Sequence, residues 1–165
     1  MSELVYVPPA LRVLPDPSME STAFWTGGAE GRLLVYRCRA CTRFFHPPAP
    51  VCFRCRSTDV GPEAVSGRAT VATYSVNQHP WYPSFPPPYI VAIVEIEEEP
   101  SVRLTTNIVG CAVEDVHVGM AVEVLFEHCE DVWIPLFKPQ ARALSTTGVG
   151  NTGGIGAVVA ESSAS

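Results

Sequence analysis

Two identical cysteine pairs are the most specific chemical feature of the sequence. Cys38 and Cys41 form one Cys-x-x-Cys pair, and Cys52 and Cys55 form a second pair after ten intervening residues. A gap of two residues lets a tight turn point both thiolates toward one centre, and two such turns complete a tetrahedral site for Zn²⁺. The spacing therefore predicts a metal site of four thiolates, with the intervening residues forming the hairpin return of a zinc ribbon.

The cysteine spacing does not fix the identity of the metal. Zn²⁺ is the expected ion, and iron in a rubredoxin-like site would use the same four ligands. Reduced cysteines without metal, or a redox Cys-x-x-Cys, are further alternatives that the doubling of the motif disfavours. Four thiolates leave no position for water or substrate, so we expect the metal to stabilise the fold and to take no part in catalysis.

Two further cysteines, Cys111 and Cys129, fall outside the pairs. A catalytic cysteine needs a base placed to take its proton. His128 is the neighbour of Cys129, but successive side chains of a strand point to opposite faces, so the two make a poor dyad. We expect both cysteines to pack as small apolar side chains and expect no catalytic residue in this chain. An autonomous enzyme that uses either thiol is the alternative hypothesis.

An aromatic and proline-rich segment, residues 79–89, separates two predicted strands. Stiff aromatic loops are typical of recognition surfaces. The alternative is a loop that folds over the end of the barrel and covers apolar surface. The side chains that we expect to face a partner or ligand are His79, Trp81, Tyr82, Phe85 and Tyr89.

The elements that must position these residues are mainly strands. Proline accounts for 16 of the 165 residues, which disfavours a helical bundle. Asp16-Pro17 and Gly27-Gly28 predict one short helix over residues 17–26. Beyond the cysteines, alternating apolar residues predict five strands, the count of a partly open barrel of the OB type. These strands are predicted at residues 69–76, 89–96, 102–108, 122–127 and 132–136.

The predicted fold is mainly β and has four parts. We expect an N-terminal arm and helix over 1–30, a zinc ribbon over 31–62, an OB-fold barrel over 63–140 and a flexible tail over 141–165. With 47% hydrophobic and 17% charged residues, the composition favours a folded chain. No apolar run has the length of a membrane span, and the first residues lack the pattern of a signal peptide. We therefore expect a cytoplasmic protein with no membrane contact.

The formal net charge of −6 is unevenly distributed. The ribbon carries six arginines against Asp59, or +5 before its metal, whereas residues 66–140 carry three cations against ten acids, or −7. Single-stranded nucleic-acid binding is the alternative function for an OB barrel with a zinc ribbon. It requires a basic groove, which so acidic a barrel does not provide, so nucleic acid is disfavoured as a partner.

The order of these features resembles the DUF35 family, from about Phe24 to Pro139. The resemblance rests on Phe24-Trp25, Gly31, the four paired cysteines, Pro47-Pro48, Tyr74, Pro88-Tyr89-Ile90-Val91 and Gly119-Met120. It implies a rubredoxin-like zinc ribbon joined to an acyl-CoA-associated OB-fold domain. Some members are fused to hotdog-fold hydratases, and others assemble with thiolases, thiolase-like acyltransferases or lipid-transfer-protein-type aldolases.

The function that this resemblance implies is that of an accessory subunit. The partner would be a thiolase-like enzyme that holds the catalytic residues, such as a retro-aldolase of steroid side-chain degradation. The two proteins would share an acyl-CoA within a hetero-oligomer, for which a heterotetramer is one arrangement. Guanidinium forks suit phosphates, so Arg37, Arg39 and Arg43 are expected to face the phosphates of CoA, against the alternative of a solvated basic face.

Overall fold

The computed structural model describes residues 6–9 and 12–141, so the predicted tail lies outside the described residues except for Ala141. In chain order the elements are α1 (Thr22–Thr26), a 3₁₀ turn (Gly27–Glu30), β1 (Leu33–Cys38), β2 (Phe44–Phe45), β3 (Val60–Val65), β4 (Arg68–Asn77), β5 (Tyr89–Ile96), β6 (Arg103–Ile108), a second 3₁₀ turn (Val113–Asp115), β7 (Ala121–Cys129) and β8 (Val132–Pro139). In this part of the chain, no helix is long and apolar enough to cross a membrane.

The five strands after the ribbon close into a barrel. Their order is β4-β5-β6-β8-β7, and β7 pairs with β4 to complete the circle. All neighbours are antiparallel except β6 and β8, which run parallel where Ile108 meets Phe137. Alternate side chains point inward, so that Ile90, Ala92, Val94 and Ile96 of β5 are buried. The prediction of a mainly β chain with a five-stranded OB-fold barrel is confirmed.

The ribbon is a three-stranded sheet in the order β2-β1-β3. β3 pairs antiparallel with the whole of β1, from Val60 opposite Cys38 to Val65 opposite Leu33. This third strand was not predicted, because it contains Gly61 and Pro62, and it crosses the expected domain boundary at residues 62 and 63. Proline is tolerated here because β3 lies at the sheet edge. Only Ser66 and Gly67 connect β3 to the first barrel strand.

The N-terminal helix begins later and its helical path ends later than the sequence predicts. Helix α1 begins at Thr22, because the side chains of Ser18 and Ser21 bond to each other and to each other's amides in a preceding turn. The path then continues through the glycine pair as a 3₁₀ turn and ends at Gly31, whose φ is +67°. A Cβ on Gly28 would lie 2.3 Å from the Cβ of Trp133. The glycine pair therefore permits close packing on the barrel and does not stop the helix.

Candidate functional site

The four paired cysteines converge on one point of the ribbon. Their four Sγ atoms all lie within 4.8 Å of one another. The Sγ atoms of Cys38 and Cys55 are 3.5 Å apart, and those of Cys41 and Cys52 are 3.7 Å apart. A tetrahedral ion with metal–sulfur bonds of about 2.3 Å requires sulfur–sulfur distances of about 3.8 Å. The described residues therefore fit a metal site with four thiolate ligands.

The two cysteine pairs occupy two copies of the same turn. The amide of Cys38 donates to the carbonyl of Arg43 at 3.0 Å, and the amide of Cys52 donates to the equivalent carbonyl of Ser57 at 2.9 Å. The residue after each pair, Thr42 or Arg56, has a φ of +62°. A left-handed backbone costs a residue other than glycine about 1–2 kcal/mol. In each turn this conformation directs both thiolates toward the point where the four Sγ atoms converge.

The metal has a structural role because the ribbon has little core of its own. Its buried cluster consists of Cys38, Phe45 and Cys52, and two of these three side chains are metal ligands. So small a cluster buries too little apolar surface to hold a hairpin together. A bound ion would supply the missing stabilisation, and its four protein ligands would leave no open coordination position for substrate.

The three arginines expected to contact CoA each face a carboxylate. Arg37 pairs with Glu63 at 2.5 Å, Arg39 with Asp59 at 2.9 Å and Arg43 with Glu99 at 3.9 Å. Arg54 and Arg56, beside the second metal turn, are exposed and form no ion pair with any described residue. A phosphate at the first three guanidinium groups would compete with carboxylates, so their contact with CoA stays a prediction.

The barrel has no basic groove. Its three cations are each paired with a glutamate: Arg68 with Glu97, Arg103 with Glu95, and Lys138 with Glu123. Residues 63–140 are all described, and none of their lysines or arginines lacks a carboxylate partner. Nothing in the barrel therefore favours the alternative of a nucleic-acid interface.

The first half of the aromatic loop presents its rings to solvent. Trp81 is 66% exposed and Tyr82 is 60% exposed. The indole Nε1 of Trp81 donates to Oδ1 of Asn77 at 2.8 Å, and its ring packs edge-on against His79 at a centroid distance of 4.5 Å. These contacts hold a large apolar ring in the exposed position that a binding anchor requires.

The second half of the loop turns inward. The rings of Phe85 and Tyr89 pack edge to face with centroids 4.4 Å apart, and both side chains are half-buried. They form part of the wall of a cavity between the loop and the barrel. Phe85 and Tyr89 therefore cover the barrel, whereas His79, Trp81 and Tyr82 are exposed, and their contact with a partner stays a prediction.

A buried polar network joins the N-terminal arm to the barrel, and sequence reasoning missed it. The hydroxyl of Tyr6 donates to Oε2 of Glu127 at 2.6 Å. Arg12 donates to both carboxylate oxygens of Glu127, at 3.2 and 2.9 Å, and to Oδ1 of Asn107 at 3.2 Å. Glu127 is only 6% exposed. The sequence carries no signal for this network because its two arm residues lie more than 90 residues from the barrel residues that they contact.

Protonation within this network follows from burial and from its hydrogen bonds. Burial would raise the pKa of Glu127, but the bonds from Arg12 and Tyr6 outweigh it, so the pKa lies below the ordinary value. Burial, together with the bond to Glu127, raises the pKa of Tyr6 to about 12. Tyr6 and Glu127 thus form a neutral donor and a charged acceptor at physiological pH.

Cys129 belongs to the same network and lacks the features of a nucleophile. Its thiol donates to Oε1 of Glu127 at 3.4 Å, so it does not pack as a purely apolar side chain. Burial and the nearby carboxylate raise the pKa of this thiol, which keeps it protonated. The ring of His128 stacks instead on Trp133, with centroids 4.4 Å apart. The expectation that His128 and Cys129 form no dyad agrees with this geometry.

Replacing Glu127 with alanine is expected to lower the free energy of unfolding by about 2 kcal/mol, because it leaves Arg12 and Tyr6 without their buried acceptor. Glu123 of the same strand provides a matched control. Its pair with Lys138 is about 40% exposed, so Glu123→Ala should cost less than about 1 kcal/mol. Urea denaturation of both variants measures the difference, and equal losses would contradict the assigned importance of the arm network.

The Glu127 contribution also has a defined pH dependence. A carboxylate whose pKa is lowered on folding stabilises the protein fully above its unfolded pKa and loses that contribution as the pH falls. The ordinary pKa of a glutamate is 4.5. The stability difference between the wild type and Glu127→Gln should therefore be constant above about pH 5 and shrink as the pH falls below 4.5. A difference that grew with acidity would contradict the ion pair.

The structure has two modules: a ribbon in which four thiolates converge, and a five-stranded OB barrel joined to it. Each module matches its own family model. Residues 25–61 match "ChsH2, rubredoxin-like zinc ribbon domain", and residues 62–127 match "ChsH2, C-terminal OB-fold domain". The chain belongs to the DUF35 family, as the resemblance in the sequence indicated.

A solved structure and two relatives illustrate the family. The solved chain, from "Ltp2-ChsH2(DUF35) aldolase", is 36% identical with a TM-score of 0.68, and the match covers 76% of this chain and 98% of that one. A "DUF35 domain-containing scaffold protein" of Methanocaldococcus jannaschii is 37% identical over 60% of this chain and 70% of its own length. The 3-oxo-4,17-pregnadiene-20-carboxyl-CoA hydratase alpha subunit of Mycobacterium tuberculosis is 30% identical over 79% of this chain.

The match to the hydratase subunits is partial. This chain spans 41% of the length of the Mycobacterium tuberculosis protein, and the same share of a probable enoyl-CoA hydratase alpha subunit of Thermomonospora curvata. The relatives' names therefore describe longer proteins, of which this chain corresponds to the ribbon and barrel part.

Proposed function

We propose that this chain is a non-catalytic accessory subunit that binds and completes a thiolase-superfamily enzyme acting on acyl-CoA thioesters. The observation that carries the proposal is the match along 98% of the DUF35 chain of an aldolase complex. The name of the Methanocaldococcus jannaschii relative, a scaffold protein, supports the same role. So do the closed metal site and the protonated thiol of Cys129, because neither is equipped for chemistry.

The partner in this proposal is a retro-aldolase that cleaves a carbon–carbon bond of a steroid side chain. The word aldolase in the name of the solved complex supports the reaction, and the pregnadiene-carboxyl-CoA in the name of the hydratase relative supports the steroid substrate. The two proteins would form a hetero-oligomer such as a heterotetramer and share the acyl-CoA. A cytoplasmic location remains a prediction from the sequence.

The metal in this proposal is Zn²⁺, held by Cys38, Cys41, Cys52 and Cys55. A borderline-soft ion without geometric preference suits a tetrahedral set of thiolates. When bound, it clamps the two turns together and supplies no catalytic chemistry. Metal analysis of the purified protein distinguishes zinc from iron, and a red, iron-containing protein after growth without added metal would contradict this assignment.

Within the complex, we assign the exposed aromatic rings to the partner interface and the ribbon arginines to the nucleotide end of CoA. Arg54 and Arg56 are better placed than Arg37, Arg39 and Arg43, because they need not give up a carboxylate partner. Aromatic rings at interfaces contribute most when they are inserted into a pocket of the partner.

Co-expression with thiolase-like proteins of the same host tests the assembly. We expect a stable hetero-oligomer in size-exclusion chromatography with light scattering. Trp81→Ala should weaken the partner's affinity by about 2 kcal/mol or more, roughly thirtyfold, as expected for a central aromatic anchor.

Met19→Ala is the matched control for Trp81→Ala, because Met19 is 91% exposed and lies before the N-terminal helix, away from the loop. It should leave the affinity almost unchanged. If Met19→Ala weakens binding and Trp81→Ala does not, the interface lies at the N-terminal segment and the loop assignment is wrong. If no thiolase-like protein of the host binds the chain, the proposed function is wrong.

A further inference from the structure

A cavity of about 560 Å³ lies between the N-terminal arm, the second half of the aromatic loop and one end of the barrel. Its size falls within the range of about 300–1,000 Å³ that is typical of small-molecule sites. The arm contributes Tyr6 to Pro9, the loop contributes Pro83 to Tyr89 except Pro87, and the barrel with its connection contributes Ile90, residues 107–111 and Val113. Three separate parts of the chain therefore build one concave surface.

The lining of this cavity is mainly apolar and carries no charge. None of its residues is Asp, Glu, Lys, Arg or His. The polar side chain of Asn107 is already occupied, since it accepts from Arg12 and donates to the carbonyl of Ile90 at 2.8 Å. Charged groups buried without a partner are costly, so such a lining favours an uncharged ligand.

The walls are also rigid. Five of the lining residues are prolines: Pro8, Pro9, Pro83, Pro86 and Pro88. Proline fixes φ, and the rings of Phe85 and Tyr89 are held by their edge-to-face contact. A rigid surface loses little entropy on binding, and a ligand that is itself rigid adds little further entropy loss, so a rigid ligand is favoured over a flexible one of equal apolar area.

The arm forms one side of the cavity and is held in place by the buried network. Tyr6 lines the cavity and donates to Glu127, while Arg12 binds the same carboxylate and stacks over the ring of Phe85 at 5.1 Å. The network therefore fixes the distance between arm and loop, which sets the width of the cavity.

We propose that this cavity binds an uncharged, rigid and apolar ring system, and that the arm, held by Tyr6 and Arg12 on Glu127, closes one side of it. The inference deepens the proposed function and rests on it for the source of the ligand, which would be the apolar part of the acyl group. Its test requires no partner protein, so the two proposals can fail separately.

Cys111 is a natural reporter for this cavity, because its half-buried thiol belongs to the lining. The experiment follows alkylation of the metal-loaded 165-residue chain by N-ethylmaleimide, with peptide mass spectrometry to separate the sites. Progesterone is the rigid-ring probe, and n-decanol is the flexible control. Cys129 does not line the cavity and serves as an internal control within the same molecule.

Progesterone at about ten times its Kd should slow alkylation of Cys111 about tenfold and leave Cys129 unaffected, because a bound probe excludes the reagent. Tyr6→Phe, which removes the bond to Glu127, should speed alkylation of Cys111 in the absence of probe. Equal slowing of both thiols, no slowing up to the solubility limit, or equal protection by n-decanol would each overturn the inference. If one of these three results were obtained and the partner complex still formed, the inference about the cavity would be wrong and the proposed function would remain.

Discussion

Replacing Cys38 with serine should remove the metal and unfold the ribbon. Serine is a poor ligand for a thiolate site, and the remaining three sulfurs cannot close the tetrahedron. Structural zinc contributes about 10–16 kcal/mol of binding free energy in small peptides, and most of that stabilisation would be lost. We expect the metal content to fall from about one ion per chain to near zero.

The effect of Cys38→Ser should extend into the barrel. Leu33 and Val35 of β1 belong to the main hydrophobic cluster, together with the inward side chains of the barrel strands. When β1 loses its metal anchor, this packing loosens, and the melting temperature of the barrel should fall. The affinity for the partner enzyme should fall as well. In the complexes that still form, the rate of the partner's chemical step should stay unchanged.

Elemental analysis and thermal unfolding check this prediction, with Cys111→Ser as the matched control. Cys111 lies outside the metal site, so its replacement should leave both the metal content and the ribbon intact. If Cys38→Ser retained a full complement of metal, the four-thiolate assignment would be wrong. If assembly stayed normal and only the partner's chemistry was lost, the structural role of the metal would be wrong.

Gly67→Ala should be the most destabilising single-methyl substitution at the junction of the two modules. Gly67 has a φ of +77°, which costs an L-residue about 1–2 kcal/mol. A Cβ at this position would also lie 2.4 Å from Cγ1 of Val124, well inside contact distance. Overpacking of this kind costs a further 1–3 kcal/mol or so, and we expect a total loss of about 2–5 kcal/mol.

Gly119 separates the two causes. It has a φ of +87°, but a Cβ there would meet nothing within 4 Å. Gly119→Ala should therefore carry the backbone cost alone, about 1–2 kcal/mol. Denaturation curves of both variants give the comparison. Equal losses of unfolding free energy would mean that Val124 moves away from the new methyl group at little cost. The ribbon and the barrel would then be joined less tightly than the structure indicates.

The metal site could be predicted from the sequence because its information is local. Each Cys-x-x-Cys pair forms its own turn, and two turns at hairpin spacing leave few arrangements other than convergence. The barrel strands were predictable for a similar reason, since alternation with a period of two is a property of each strand alone. The bounds of the helix were harder to predict, because Ser18 and Ser21 form a local turn that competes with the first helical turn.

The features that the sequence did not reveal depend on contacts between distant segments. In the alternating sequence of β7, Glu127 falls on the face that carries Glu123, which predicts that its side chain is exposed. It is instead buried by Tyr6 and Arg12 of the arm. The predicted separation of a basic ribbon from an acidic barrel also changes, because Arg43 pairs with Glu99 across the two modules. Summed charges describe a segment's composition, whereas pairing depends on which segments the fold brings together.

The most direct test of the central claim is the rate of acyl-CoA cleavage by the purified thiolase-like partner alone, by this chain alone and by the complex of the two. The accessory-subunit account predicts no turnover by this chain, little or none by the partner alone, and full activity in the complex. It also predicts that replacing Cys111 or Cys129 with serine, which adds no bulk, leaves the chemical step of the complex unchanged. Turnover by this chain alone, or a partner whose activity does not depend on it, would contradict the account.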